Sequence, residues 1–371
     1  MKTTISLVAA FALSFCAVLA HAASNDVGSW DTKAAAAYLD QRADWWLGWP
    51  QSVRDHDTHC VSCHTAVPYA LSRPALRSAL GEQSPSVTEQ KLLANVTKRV
   101  RLWSELEPFY SDKDRGAPKT AESRGTESVL NALILSRYDA SQGKASKLSD
   151  DARLALDNMW ALQLQSGDTK GAWNWLNFHN QPWEADDSQF WGATLGAIAA
   201  GFAPADYRAT PEVQAHLKML SEYFQQALPG QSPINRVFLL WASAKVPGIL
   251  KPEQQKAIIA DVLSKQQADG GWSTASIVMS TWKRRDNTPL DTRSDGYGTG
   301  LVTFVLEQAG VSRTEPAMKS ALSWLTHNQD KAAGLWLAYS LNKERDPASD
   351  VGRFMIDAAT SYSVLALSDA K

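Results

Sequence analysis

The chain is poor in cysteine, has almost no strand patterning, and has no long apolar run beyond its N-terminus. Three cysteines in 371 residues exclude a disulfide scaffold, which spreads paired cysteines through a small exported fold. No segment after the N-terminal one approaches the roughly 18 consecutive apolar residues of a membrane-spanning helix. The formal net charge of −2 speaks against a nucleic-acid partner, because binding a phosphate backbone needs clustered positive charge. The period-two alternation of a half-buried strand is nearly missing, which leaves helices as the building material.

What is present begins with a leader. Residues 1–22 read as a cleavable signal peptide: Lys2 supplies the positive start, Ile5 to Ala20 is mostly apolar, and Ala20-His21-Ala22 is an A-x-A cleavage site. The run is too short and too well terminated for a membrane span. The mature chain is expected to start near Ala23, to reside in the periplasm or outside the cell, and to carry no transmembrane segment. Cys16 leaves with the leader, so Cys60 and Cys63 remain.

Those two cysteines and His64 form C-x-x-C-H, the pattern by which a c-type haem is attached. Each thiol adds to one vinyl group of the porphyrin, and the following His is placed to bind iron through an imidazole nitrogen. A redox disulfide or half a zinc site are the competing readings. No second Cys or His pair follows at zinc spacing, and a thioredoxin-like motif belongs in an α/β unit. The expected cofactor is haem c, with Cys60 and Cys63 covalent and His64 axial. His56 and His59 lie near in sequence as second axial ligands. His179, His216, His327, Met159, Met219, Met279, Met318 and Met355 are distant candidates. Iron with no second ligand from the chain would favour ligand binding or catalysis over pure electron transfer.

The fifteen tryptophans recur in a pattern. Gln165 precedes Gly171-Ala172-Trp173, Gln266 precedes Gly270-Gly271-Trp272, and Gln329 precedes Gly334-Leu335-Trp336; Trp45-Trp46-Leu47-Gly48-Trp49 reads as a degenerate first copy. The Gln is expected to cap a helix end and the indole to pack against the next repeat. Small-residue helices are expected to begin near Ser62, Arg124, Phe190, Ile234, Thr299 and Thr360. Longer partner helices open at Asp31-Thr32, Ser86, Ser149, Thr210-Pro211, Lys251-Pro252 and Glu315-Pro316, where capping side chains or a first-turn Pro stand. Six such pairs predict an all-α (α/α)6 toroid over residues 23–371, with inner and outer rings of six helices and the C-x-x-C-H in the first repeat.

These Q-x-x-x-G-x-W repeats resemble those of the squalene–hopene cyclase and protein prenyltransferase superfamily, the terpenoid-cyclase α/α toroid. Ser294-Asp295-Gly296-Tyr297-Gly298-Thr299-Gly300-Leu301 is similar to the start of an inner helix in its bacterial repeat proteins. The resemblance implies the fold over most of residues 35–370. Class II cyclases of this group use D-x-D-D, and Glu184-Ala185-Asp186-Asp187 is similar with Glu in first place. That implies Asp186 as general acid and Asp187 beside it, against a plain helix cap by Asp187 or Ser188. The prenyltransferase branch needs a zinc-ligating Cys, and the thioester branch needs Cys-Gly-Glu-Gln where this chain has Leu80-Gly81-Glu82-Gln83.

The motif therefore sits where the inner helices begin, at an end rich in free N–H groups and suited to haem propionates or a small anionic or hydrophobic ligand. Arg124, Glu127, Asp186, Asp187, Asn235, Arg236, Asp295, Tyr297 and Tyr362 are expected near that rim. The expected function is an exported c-type haem protein for electron transfer, with a redox partner protein, or for haem-based redox or ligand chemistry. The alternatives are an isoprenoid cyclase using Asp186 and a non-catalytic binding scaffold.

Overall fold

The computed structural model describes residues 29–143 and 147–368. The expected leader, residues 1–22, and the start near Ala23 lie outside the described residues. In chain order the elements are α1 (Thr32–Gly48), the strand pair β1 (Val53–Arg54) and β2 (Thr58–His59), α2 (Ala66–Leu80), α3 (Val87–Arg101), α4 (Asp112–Arg115), α5 (Lys119–Ser141), α6 (Asp150–Ala161) and α7 (Ser188–Phe202). There follow α8 (Ala205–Arg208), α9 (Pro211–Ala227), α10 (Pro233–Lys245), α11 (Pro252–Leu263), α12 (Thr274–Ile277), α13 (Gly296–Gln308), α14 (Pro316–His327) and α15 (Phe354–Leu367). Among the described residues the fold is all-α apart from that short hairpin. Among the described residues no helix is long and apolar enough to cross a membrane.

The helix starts follow local chemistry. Asp31, Ser86 and Ser149 each accept a backbone N–H three residues on, and so cap α1, α3 and α6. Pro211, Pro252 and Pro316 open α9, α11 and α14 at the position where a missing N–H is harmless.

Six helices contact one another in closed order. α2 packs on α5, α5 on α7, α7 on α10, α10 on α13, α13 on α15, and α15 on α2. They are the small-residue helices, buried along most of their length, and small residues let the axes approach. A Cβ on Gly300 of α13 would come within 2.6 Å of the Ser363 nitrogen in α15. α1, α3, α6, α9, α11 and α14 each lie against one or two of these six. The expected start at Thr360 falls inside α15, because its first turns are already apolar and take in a single buried acid, Asp357.

The tryptophan turns each follow one of the capped partner helices and lead toward the next of the six helices in closed contact. Trp173 Nε1 donates back to Met159 O at 2.6 Å, Trp272 Nε1 to Val262 O at 2.8 Å, and Trp336 Nε1 to Leu325 O at 2.7 Å, as a buried indole N–H requires. The glutamine amides reach across to the start of another partner helix: Gln266 Nε2 to Ala317 O of α14 at 2.8 Å, and Gln329 Nε2 to Asp31 O, the cap of α1, at 3.0 Å. In the first turn Gln163, not Gln165, does this, donating to Gly171 O and His216 O. The loop before Trp173 is longer, which displaced the sequence register. Trp45 to Trp49 is not a copy of this turn: Trp46 packs against His64 and donates to Cys60 O, while Trp45 and Trp49 stack on one another and lie against Phe354.

Candidate functional site

The motif lies in the connection between α1 and α2, and its backbone is held on every side. Cys60 N donates to Ser52 O at 2.8 Å. Trp46 Nε1 of α1 donates to Cys60 O at 2.6 Å. Asn95 of α3 accepts from His59 N at 2.8 Å and donates to His59 O at 3.0 Å. Ser62, between the two cysteines, accepts from Thr65 N and Ala66 N at 3.3 and 3.0 Å. It thus caps α2 and ties Cys63-His64 to the helix start.

Two buried ion pairs anchor the ends of the segment through threonines. Arg99 of α3 pairs with Glu127 of α5, Nε to Oε1 at 2.5 Å, and its guanidinium also donates to Thr58 Oγ1. Arg42 of α1 pairs with Asp357 of α15 at 2.8 Å, and Asp357 also accepts from Tyr38 OH at 2.8 Å and Thr65 Oγ1 at 2.7 Å. Burial raises the pKa of both acids, against which their arginines act to lower it.

The His64 Nδ1 lies 2.9 Å from Thr65 Oγ1. Because that hydroxyl gives its proton to Asp357, it accepts from His64, so the hydrogen-bond network assigns the proton to Nδ1 and leaves Nε2 with a lone pair. Phe354 stacks on the imidazole at 3.7 Å and 21°, Trp46 meets it edge-on at 5.0 Å, and Trp183 stands 5.9 Å away. Stacking fixes the ring plane without covering an in-plane nitrogen. Burial drives the His64 pKa down to about 3, so the imidazole is neutral, the state that ligates metals.

Both cysteines are free thiols. Burial pushes the Cys60 thiol up to about 12 and the Cys63 thiol well above its ordinary value, with the Glu184 charge adding to both. Cys63, His64, Trp183, Glu184, Asn342 and Phe354 are among the residues around a cavity of about 180 Å³. Much of its wall comes from the 180–184 and 340–353 connections, which are loop rather than helix. Glu184 is half-buried there, and loss of water raises its carboxyl to about 7. The donor set fits a c-type haem: two unpaired thiols at C-x-x-C spacing, and a neutral imidazole oriented from behind through Nδ1.

The other expected residues divide. Tyr297 and Tyr362 are buried, 5.7 Å apart, and both feel the Cys63 thiol. Glu127 reaches the site through Arg99. Asp295 caps α13 by accepting from Tyr297 N and Gly298 N, both at 2.9 Å. Arg124 donates to Trp103 O and Leu106 O, and the half-buried Arg236 to Pro229 O. Asp187 accepts from Ser232 and Asn235 and spends none of its side chain on a helix cap. Asp186 is 72% exposed, beside His179 at 2.8 Å, and the Asn177 amide with His179 holds its pKa below the ordinary value. A general acid must be protonated before it acts, so Asp186 is unsuited to the role assigned from its motif. Glu184, the departure from that motif, is the carboxyl at the cavity.

Of the distant axial candidates, Met355 borders this cavity. Met159 and Met318 are core residues, and His216 stacks on Trp160 at 4.9 Å. Sequence reading missed Thr58, Thr65, Arg99 and Asp357. Only Asp357 carries a local signal, a lone acid in an apolar helix.

No family model and no curated protein matches the chain. Among solved structures, one glycosidase variant aligns at 13% identity and a TM-score of 0.46, and a second, in complex with glucose, at 14% and 0.48. A third glycosidase variant gives 14% and 0.47. Each alignment covers 90% of this chain and 97% of the other. Scores at this level carry no conclusion about fold or activity.

Proposed function

We propose that this is an exported c-type haem protein on an (α/α)6 toroid, passing electrons to a redox partner protein or handling a small ligand. The carrying observation is the seating of C-x-x-C-H at the head of α2, pinned through Thr58 and Thr65 to two buried ion pairs, with the His64 Nε2 lone pair left free. The closed order of contacts from α2 through α15 and back supports the toroid.

Cys60 and Cys63 would hold the haem by thioether bonds, and His64 would be the axial ligand. Bound there, the group supplies one-electron chemistry or an iron site for a small molecule. The chain does the rest. Thr65 and Asp357 hold the imidazole tautomer, Phe354 and Trp46 fix its plane, and the aromatic wall keeps water from it. The cavity is smaller than the roughly 300–1,000 Å³ of ordinary ligand pockets, so its loop walls would stand further apart around a bound macrocycle.

Expression with an export signal and haem-attachment machinery tests the reading. The expected product keeps its haem under denaturing conditions, gives a pyridine haemochrome spectrum of the two-thioether type, and has no titratable thiol. Protein with two free thiols and no covalent haem overturns it.

A further inference from the structure

Toward the C-terminal ends of the same six helices, away from the motif, lies a second cavity of about 190 Å³. Two cations border it, Arg137 from α5 and Lys245 from the last turn of α10. Both approach the face of Phe202, at 5.5 and 5.3 Å. No acid lines the cavity. Neither cation has a hydrogen bond or ion pair through its side chain among the described residues. The acid nearest Arg137 in the electrostatics, Glu89, is taken by Arg77 at 2.6 Å. Arg208 donates to Lys245 O and so adds positive charge nearby. The rest of the wall combines an apolar side, chiefly Trp241, Phe304 and Leu365, with the polar side chains of Gln308 and Ser368, and the buried Ser368 Oγ lacks a partner.

Two like charges bordering one cavity repel, and each half-buried cation gives up part of its hydration there. Burial lowers Arg137 to about 10, and burial with the Arg137 charge lowers Lys245. Carbonyls at helix C-termini offset part of this, but they are neutral groups and do not explain the apolar wall. A ligand with one negative end and a compact apolar body answers both features. The volume corresponds to about six waters, which suits a short acyl chain or a single aromatic ring rather than a lipid.

We propose that this cavity binds a small monocarboxylate, its charge between Arg137 and Lys245 and its body against Trp241 and Phe304. The site is independent of the haem reading.

Calorimetric titration of the full chain with hexanoate, and with hexanol as the uncharged analogue, tests it. Hexanoate is expected to bind and hexanol to bind at least ten times more weakly. Arg137→Gln and Lys245→Gln, each checked for an unchanged denaturation profile, should each weaken hexanoate at least tenfold and leave hexanol unaltered. Absence of hexanoate binding, equal binding of hexanol, or full affinity in the folded variants would overturn the proposal. Should both variants fail to fold, the hexanoate-to-hexanol ratio on the intact chain still decides.

Discussion

The Gln329 side chain grips the backbone of Asp31 from both directions: Oε1 accepts from Asp31 N at 2.6 Å and Nε2 donates to Asp31 O at 3.0 Å. The two residues are 298 positions apart. Beside them Gly334, at a φ of +75°, lies so close to α1 that a Cβ would stand 2.1 Å from Ala34 O. The last tryptophan turn therefore docks on the first helix as Gln266 docks on α14.

Breaking this latch should loosen the whole molecule. Gln329→Ala strands two backbone groups of Asp31 and should cost about 1–3 kcal/mol. Gly334→Ala adds left-handed strain to a steric clash and should cost about 3 kcal/mol or more. Urea denaturation checks both, and the larger loss belongs to Gly334→Ala.

The Arg99–Glu127 pair is fully buried on both sides. Arg99→Met leaves the Glu127 charge stranded and should destabilise by about 3–5 kcal/mol. Arg99→Met with Glu127→Leu should recover much of that loss, since neither charge then remains. A double-mutant cycle from urea midpoints measures the difference.

Glu184 gives a pH dependence of defined sign. Its folded pKa of about 7 lies above the ordinary carboxyl value of about 4.3. Between those values the native state binds more protons than the unfolded chain, so this group's contribution to stability falls as pH rises and levels off above pH 7. Glu184→Gln removes that decline. Relative to wild type, the variant's denaturation midpoint should improve from pH 5 to pH 7 and hold a constant difference at pH 8.

With the proposed haem bound, Thr65 would act on its iron through His64. In haem-loaded protein, Thr65→Val deletes the acceptor of the Nδ1 proton and uncouples His64 from the Asp357 charge. The imidazole becomes a weaker donor, which stabilises oxidised iron less. The reduction potential should rise, by about 59 mV if the relative affinity for the two oxidation states changes tenfold. Thr65→Ser, which keeps the hydroxyl, should restore the wild-type value in the same voltammetric measurement.

Helix starts were legible because their chemistry is local: Ser86, Ser149 and the prolines at 211, 252 and 316 act within one turn. The tryptophan turns were legible for the same reason, except at Gln163, where a longer loop hid the register. Cys60, Cys63 and His64 stand together in the chain and read as one string. Their supports do not, since Thr65 meets Asp357 across 292 positions and Thr58 meets Arg99 across 41. Glu184 and Asp186 are two residues apart, yet one borders a cavity and the other faces water. Only the turn geometry at Asn180–Glu184 separates them.

The two threonine anchors draw on α1, α3, α5 and α15, so the segment around Cys63 is sealed only when the chain's beginning and end have met. In the finished molecule Cys63 is 6% exposed, and burial holds the proton on its thiol. Whatever becomes joined to it must be joined to an open polypeptide, before those four helices assemble, and not to the completed protein.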